Sequence, residues 1–92
     1  MNEFVIVSRH AGAVEWLRRQ GIEGKVIAHA APEDVRGKVV IGALPLHLAA
    51  LAERVGSIDM PGLTPAQRGQ DLSPEEMDEA GAAIVWYEVR AL

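Results

Sequence analysis

Hydrophobic and polar positions along this chain fall into short blocks that alternate between strand and helix character. Phe4-Val5-Ile6-Val7 is an apolar, largely β-branched run that stops abruptly at Ser8-Arg9-His10, which predicts a first strand over about residues 3–8. Ala13, Trp16, Leu17 and Gln20 then fall on adjoining turns of a helix over about residues 11–20, and Gly21 suits its C-cap. A second strand is predicted from Lys25 to His29, and a loop or single helical turn from Pro32 to Arg36. Lys38-Val39-Val40-Ile41-Gly42 is a continuous apolar run, as in a strand covered on both faces. Pro45 opens a helix predicted to reach about Val55, and the run of Leu46, Leu48, Ala49, Ala50, Leu51 and Ala52 makes it apolar nearly all round. Such a helix is expected in the core or in a subunit interface.

Ser57 to Met60 reads as a short fourth strand, and residues 61–72, with two prolines and two glycines, as a loop. Ser73-Pro74-Glu75-Glu76 is a helix start with Ser at the N-cap, Pro at N1 and Glu at N3, and that helix is expected to end near Gly81. The last apolar run, Ile84 to Val89, has strand composition, although its pattern also permits a continuing helix.

This order predicts an α/β fold: one small Rossmann-like domain over residues 1–92, a three-layer sandwich with a mainly parallel sheet. If the first and third strands are neighbours, the chain reverses direction between them. The loops at residues 8–12 and 42–45 then flank a switch-point crevice, where open α/β sheets bind ligands. The connection over residues 30–37 is short for a parallel crossover, so an antiparallel hairpin of the second and third strands is the rival topology.

Composition narrows the function classes. The chain has 92 residues, 49% of them hydrophobic, which suits one folded domain that gains from oligomerisation. With no cysteine, disulfides and thiolate metal sites are excluded. No signal peptide or long apolar span is visible, so a cytoplasmic protein that does not engage a membrane is expected. The net charge is −4, but five of the 13 acids lie between Asp71 and Glu79. The remainder is near neutral, which leaves room for a local basic pocket. Lys and Arg form no stripe, so no duplex nucleic acid is expected as a partner.

Ser8, Arg9 and His10 bring a hydroxyl, a fixed cation and a titratable imidazole to the start of a helix, whose free N–H groups favour anions. The plain alternative is that Ser8 or His10 caps the helix and Arg9 lies in solvent. Gly42-Ala43-Leu44-Pro45 is the second candidate loop: Gly42 allows close backbone approach, Leu44 can wall an apolar or base-stacking surface, and Pro45 starts a helix that carries His47 in its first turn. The same residues also suit a bare strand-to-helix turn. His29, at the end of its strand, reads as an exposed or internally satisfied histidine. Gly12 closes the first of the two loops that flank the crevice, and Arg68-Gly69 reads as a lid or as a surface turn. No histidine or carboxylate spacing suits a metal, and no nucleophile elbow or acidic partner supports a hydrolase triad.

The segments FVIVSRHAGAVEWLRRQGI, VIAHA, GKVVIGALPLHLAALA and RGQDLSPEEM together resemble small CRISPR-associated accessory proteins of type III systems, a Csx-type family regarded as ring nucleases. The shared pattern is Ser-Arg-His-x-Gly-Ala, Val-Ile-Gly-x-Leu-Pro and Arg-Gly-x-x-Leu-Ser-x-Glu-Glu-Met, in this order along nearly the whole chain. The resemblance implies a Rossmann-like, CARF-like homodimer that degrades cyclic oligoadenylate, notably cyclic tetra-adenylate, and so switches off type III antiviral signalling. It implies no cofactor. Ser8, Arg9, His10 and His47 become the catalytic candidates, and Ser8, Arg9, Gly12, Gly42, Leu44, Pro45 and Arg68 the ligand-binding ones. His10 is the first choice for proton transfer and His47 the second. His47 departs from the family pattern, which carries Asn there. A module that sequesters the ring without cleaving it would use the same pocket.

Overall fold

The computed structural model describes residues 4–92 and contains five strands in one sheet: β1 (Phe4–Val7), β2 (Gly24–Ile27), β3 (Val39–Gly42), β4 (Arg54–Asp59) and β5 (Ala83–Tyr87). Glu3, the first residue of the predicted first strand, lies outside the described residues. The helices are α1 (Ala11–Arg19), α2 (Pro32–Val35), α3 (Leu46–Ala49) and α4 (Pro74–Glu79). The strand order is β2-β1-β3-β4-β5. β1 pairs in parallel with both β2 and β3, β3 pairs in parallel with β4, and β5 closes the edge antiparallel to β4. The chain therefore steps from β1 to one side and returns to the other, so the switch point falls between β1 and β3. The antiparallel hairpin of β2 and β3 does not form, because β1 lies between them.

Alternation along β1 and β3 feeds two cores. Ile6 and Ile41 face α1 and α4 and pack with Trp16, Leu17, Leu72 and Met77. Val5 and Val40 face α2 and α3 and pack with Val35 and Leu48. This is the expected three-layer arrangement. Trp16 is a core residue whose indole N–H donates to Asp78 at 2.7 Å, tying α1 to α4. After α1, Ile22 N donates to Leu17 O and Gly21 N to Arg18 O, a Schellman closure with Gly21 at positive φ as expected of its C-cap role.

Two boundaries differ from the sequence pattern. The helix expected from Pro45 to Val55 is a single turn, Leu46–Ala49, and β4 starts at Arg54 rather than Ser57. Sheet pairing overrides helix propensity here. Glu53 N donates to Lys38 O, Gly37 N donates to Leu51 O, and Arg54 pairs with Val39, so the backbone after Ala52 is committed to β3. The short turn also leaves Leu46 76% exposed, while Leu48 and Ala49 are buried. On β5, Ile84 packs toward the first core, whereas Val85 and Tyr87 lie exposed on the opposite pleat. Among the described residues no helix is long and apolar enough to cross a membrane.

Candidate functional site

Three parallel strands end side by side, and the residues just beyond their carboxyl ends enclose an open cavity of about 760 Å³. Ser8, Arg9 and His10 come from the end of β1, and His29 from the end of β2. Gly42, Leu44 and Pro45 come from the end of β3, and Ser57 and Ile58 of β4 with Met60 just beyond it form the far wall. The crevice expected between the loops after β1 and β3 is therefore present, and its volume lies within the range of small-molecule sites.

The charge of this cavity differs from that of the chain. Among the described residues that line it are Arg9, His10 and His29 and no acid, although the chain as a whole carries −4. The parallel register brings the basic groups together. Val7 pairs with Ile27, and Ser8 N continues the ladder to Ile27 O at 3.0 Å, so Arg9 and His29 lie opposite one another two residues further on. The Arg9 guanidinium reaches His29 Nδ1 at 3.3 Å. A guanidinium is donor-only, so this nitrogen presents its lone pair.

Ser8 organises the turn into α1. Its Oγ accepts from His10 N at 3.1 Å and lies 3.4 Å from His10 O as a donor. The hydroxyl is thus bound to backbone rather than to an imidazole, and among the described residues no triad is assembled around it. His10 itself gives α1 no side-chain cap. The cap comes from far along the chain: Gly12 N donates to Asp71 Oδ1 at 3.3 Å, and the same carboxylate lies 3.9 Å from His10 Nδ1. A Cβ at Gly12 would run into the Leu72 carbonyl, so Gly12 serves the approach of this loop to α1 and does not line the cavity. The α1 N-terminus expected to take a ligand phosphate already holds a carboxylate. Gly42, at φ 140°, likewise makes room for the Val7 carbonyl of β1, and it also lines the cavity.

Two candidates lie apart from the cavity lining. His47 is exposed on α3 between lining residues Pro45 and Leu48. Arg68 is exposed in the 61–73 loop, whose Gln67, Gly69 and Gln70 instead wall a smaller cavity of about 180 Å³ beside His10. Conversely, the structure adds His29 and Asp71. His29 was accessible to sequence reasoning: like Arg9 it sits just past a strand end, and parallel pairing of β1 with β2 puts both at one edge. Asp71 carried no such signal, because it was one acid among five in a polar stretch. Among the described residues no group of three or more histidine, aspartate or glutamate side chains could hold a metal ion.

No curated protein and no solved structure matches this chain. Residues 5–90 match a family model described as "Putative CRISPR-associated protein (Cas_VVA1548)", and the chain belongs to this CRISPR-associated family.

Proposed function

We propose that the protein is a ring nuclease that binds cyclic oligoadenylate, cyclic tetra-adenylate above all, and cleaves it through the ring's own 2′-hydroxyl. The observation that carries this reading is the acid-free cavity holding Arg9, His10 and His29 at the switch point of an otherwise acidic chain. Membership in a CRISPR-associated family supports an antiviral context.

Arg9 binds a phosphate through charge-assisted hydrogen bonds, and Leu44 and Pro45 offer an apolar rim for adenine. RNA carries its own nucleophile, so the protein's task is to place the 2′-oxygen in line with the adjacent phosphorus. Such alignment contributes up to about 7–11 kcal/mol. A donor well aimed at the phosphorane adds roughly 3 kcal/mol, and His10 as a proton-transfer group about 10²–10⁴-fold. The products are linear oligoadenylates ending in a 2′,3′-cyclic phosphate.

A ring with two-fold symmetry suits a C2 homodimer with one crevice from each protomer. The exposed Leu46, Val85 and Tyr87 support a covered surface in the assembly. Light scattering is expected to give the dimer mass at micromolar concentration, and a monomer of full activity would refute this part. The test of function is incubation of the purified protein with labelled cyclic tetra-adenylate, with and without EDTA. Cleavage in both is expected. A ring that stays bound and intact through a prolonged single-turnover incubation would mean a sequestering module, and cleavage that needs Mg²⁺ or Mn²⁺ would refute the 2′-hydroxyl route.

A further inference from the structure

We propose that His29 is a second proton-transfer residue of this crevice and works as the base opposite His10. This rests on the cleavage reading above and assigns a role to a residue that the resemblance includes only within VIAHA and to which it gives no role.

The geometry starts from the partners of the two imidazoles. His29 Nδ1 faces the Arg9 guanidinium at 3.3 Å, and Arg9 can only donate, so that nitrogen carries a lone pair and no proton. His10 Nδ1 lies 3.9 Å from the Asp71 carboxylate, beyond hydrogen-bonding distance but within reach of an ion pair, so an anion stands beside His10 where a cation stands beside His29. The cation beside His29 suits the neutral ring that accepts a proton, the anion beside His10 suits the imidazolium that gives one, and both rings line the same cavity with Arg9. Arg9 and Asp71 are the charged groups placed against the two rings. The His29 contact is exposed. An arriving phosphate offers the guanidinium stronger, charge-assisted bonds, so Arg9 turns to the phosphate and uncovers the His29 lone pair.

Transesterification needs two such groups. The 2′-oxygen forms a bond to phosphorus as the bond from phosphorus to the 5′-oxygen breaks. The 2′-hydroxyl proton goes to His29 Nδ1, and a proton from the His10 imidazolium goes to the departing 5′-oxygen. The products are a 2′,3′-cyclic phosphate and a 5′-hydroxyl, with one proton moved from one ring to the other and none gained or lost. His47, exposed on α3 and outside the cavity lining, has no comparable partner arrangement among the described residues.

The experiment compares ordinary cyclic tetra-adenylate with a ring whose bridging 5′-oxygens are replaced by sulfur. A thiolate leaves without being protonated, so the sulfur ring needs a base but no acid. Single-turnover rates and affinities are measured for the native protein and for the His29→Ala, His29→Gln and His10→Ala variants. On the oxygen ring, each variant is expected to bind and to lose about 10²–10⁴-fold in rate. On the sulfur ring, His10→Ala is expected to recover toward the native rate while both His29 variants stay slow. Native rates for the His29 variants on the oxygen ring, or recovery of His29→Ala in place of His10→Ala on the sulfur ring, overturn the assignment. Failure of the native protein to cleave either ring overturns the proposed function, and this inference with it.

Discussion

Two helices of this protein begin in opposite ways. α4 closes its N-terminus with its own residues: Ser73 Oγ accepts from Glu76 N at 3.2 Å, and Glu76 Oε1 accepts from Ser73 N at 3.0 Å. α1 has no local cap, and its Gly12 N–H is met by Asp71 from 59 residues away. A reciprocal box satisfies two donors within one turn and leaves nothing for a ligand. A helix start served by a carboxylate on a separate loop satisfies one donor, Gly12 N, with a charge that the loop and not the helix positions. The first arrangement stabilises the fold. The second ties the 61–73 loop to the start of α1 and sets Asp71 beside His10 at the edge of the crevice.

The largest effect that separates the two starts is in catalysis. His10→Ala is expected to lower the single-turnover rate by about 10²–10⁴-fold with binding retained; a native rate in this variant, with loss in His47→Ala, would move the chemistry to α3. Next, Arg9→Ala is expected to weaken affinity by about 10–100-fold, the value of hydrogen bonds to a charged group at roughly 1.5–3 kcal/mol. Titration with a 2′-deoxy ring measures this without turnover, and unchanged affinity would remove Arg9 from the site.

Smaller effects test the helix starts themselves. Asp71→Asn keeps an acceptor for Gly12 and removes the charge, so affinity for the ring is expected to rise a few-fold, more at low than at high salt. Weaker or unchanged binding would mean that ligand never meets the start of α1. Ser73→Ala is expected to cost about 1 kcal/mol of stability, a fall in Tm of roughly 4–8 °C for a domain of this size. Ring affinity should stay the same in that variant, and a change would deny the purely structural role of α4's cap.

The same contrast explains what could be read from the chain. Local signals were legible: the apolar runs of β1 and β3, the Ser73 box, Gly21 after α1 and the crevice at the switch point. Signals that depend on distant pairing were not. The Leu and Ala run after Pro45 has helical propensity, yet Lys38 and Val39 hold residues 53 and 54 in the sheet. Arg54 falls inside the helix predicted to about Val55, but on β4 its guanidinium lies 5.0 Å over the Trp86 ring on β5, which no local pattern reveals. In the site, Ser8, Arg9 and His10 were legible because they end a strand abruptly. His29 needed the β1–β2 register to acquire meaning, and Asp71 needed the path of the 61–73 loop.

The central claim is that the crevice makes the ring cut itself, and product chemistry tests it most directly. Mass spectrometry after incubation with cyclic tetra-adenylate should show linear products bearing a 2′,3′-cyclic phosphate and a 5′-hydroxyl. A ring with 2′-deoxy substitution should bind with similar affinity and stay intact at the substituted linkages. Products that carry only 5′-phosphate and 3′-hydroxyl ends, or cleavage of the deoxy ring at those linkages, would contradict the account.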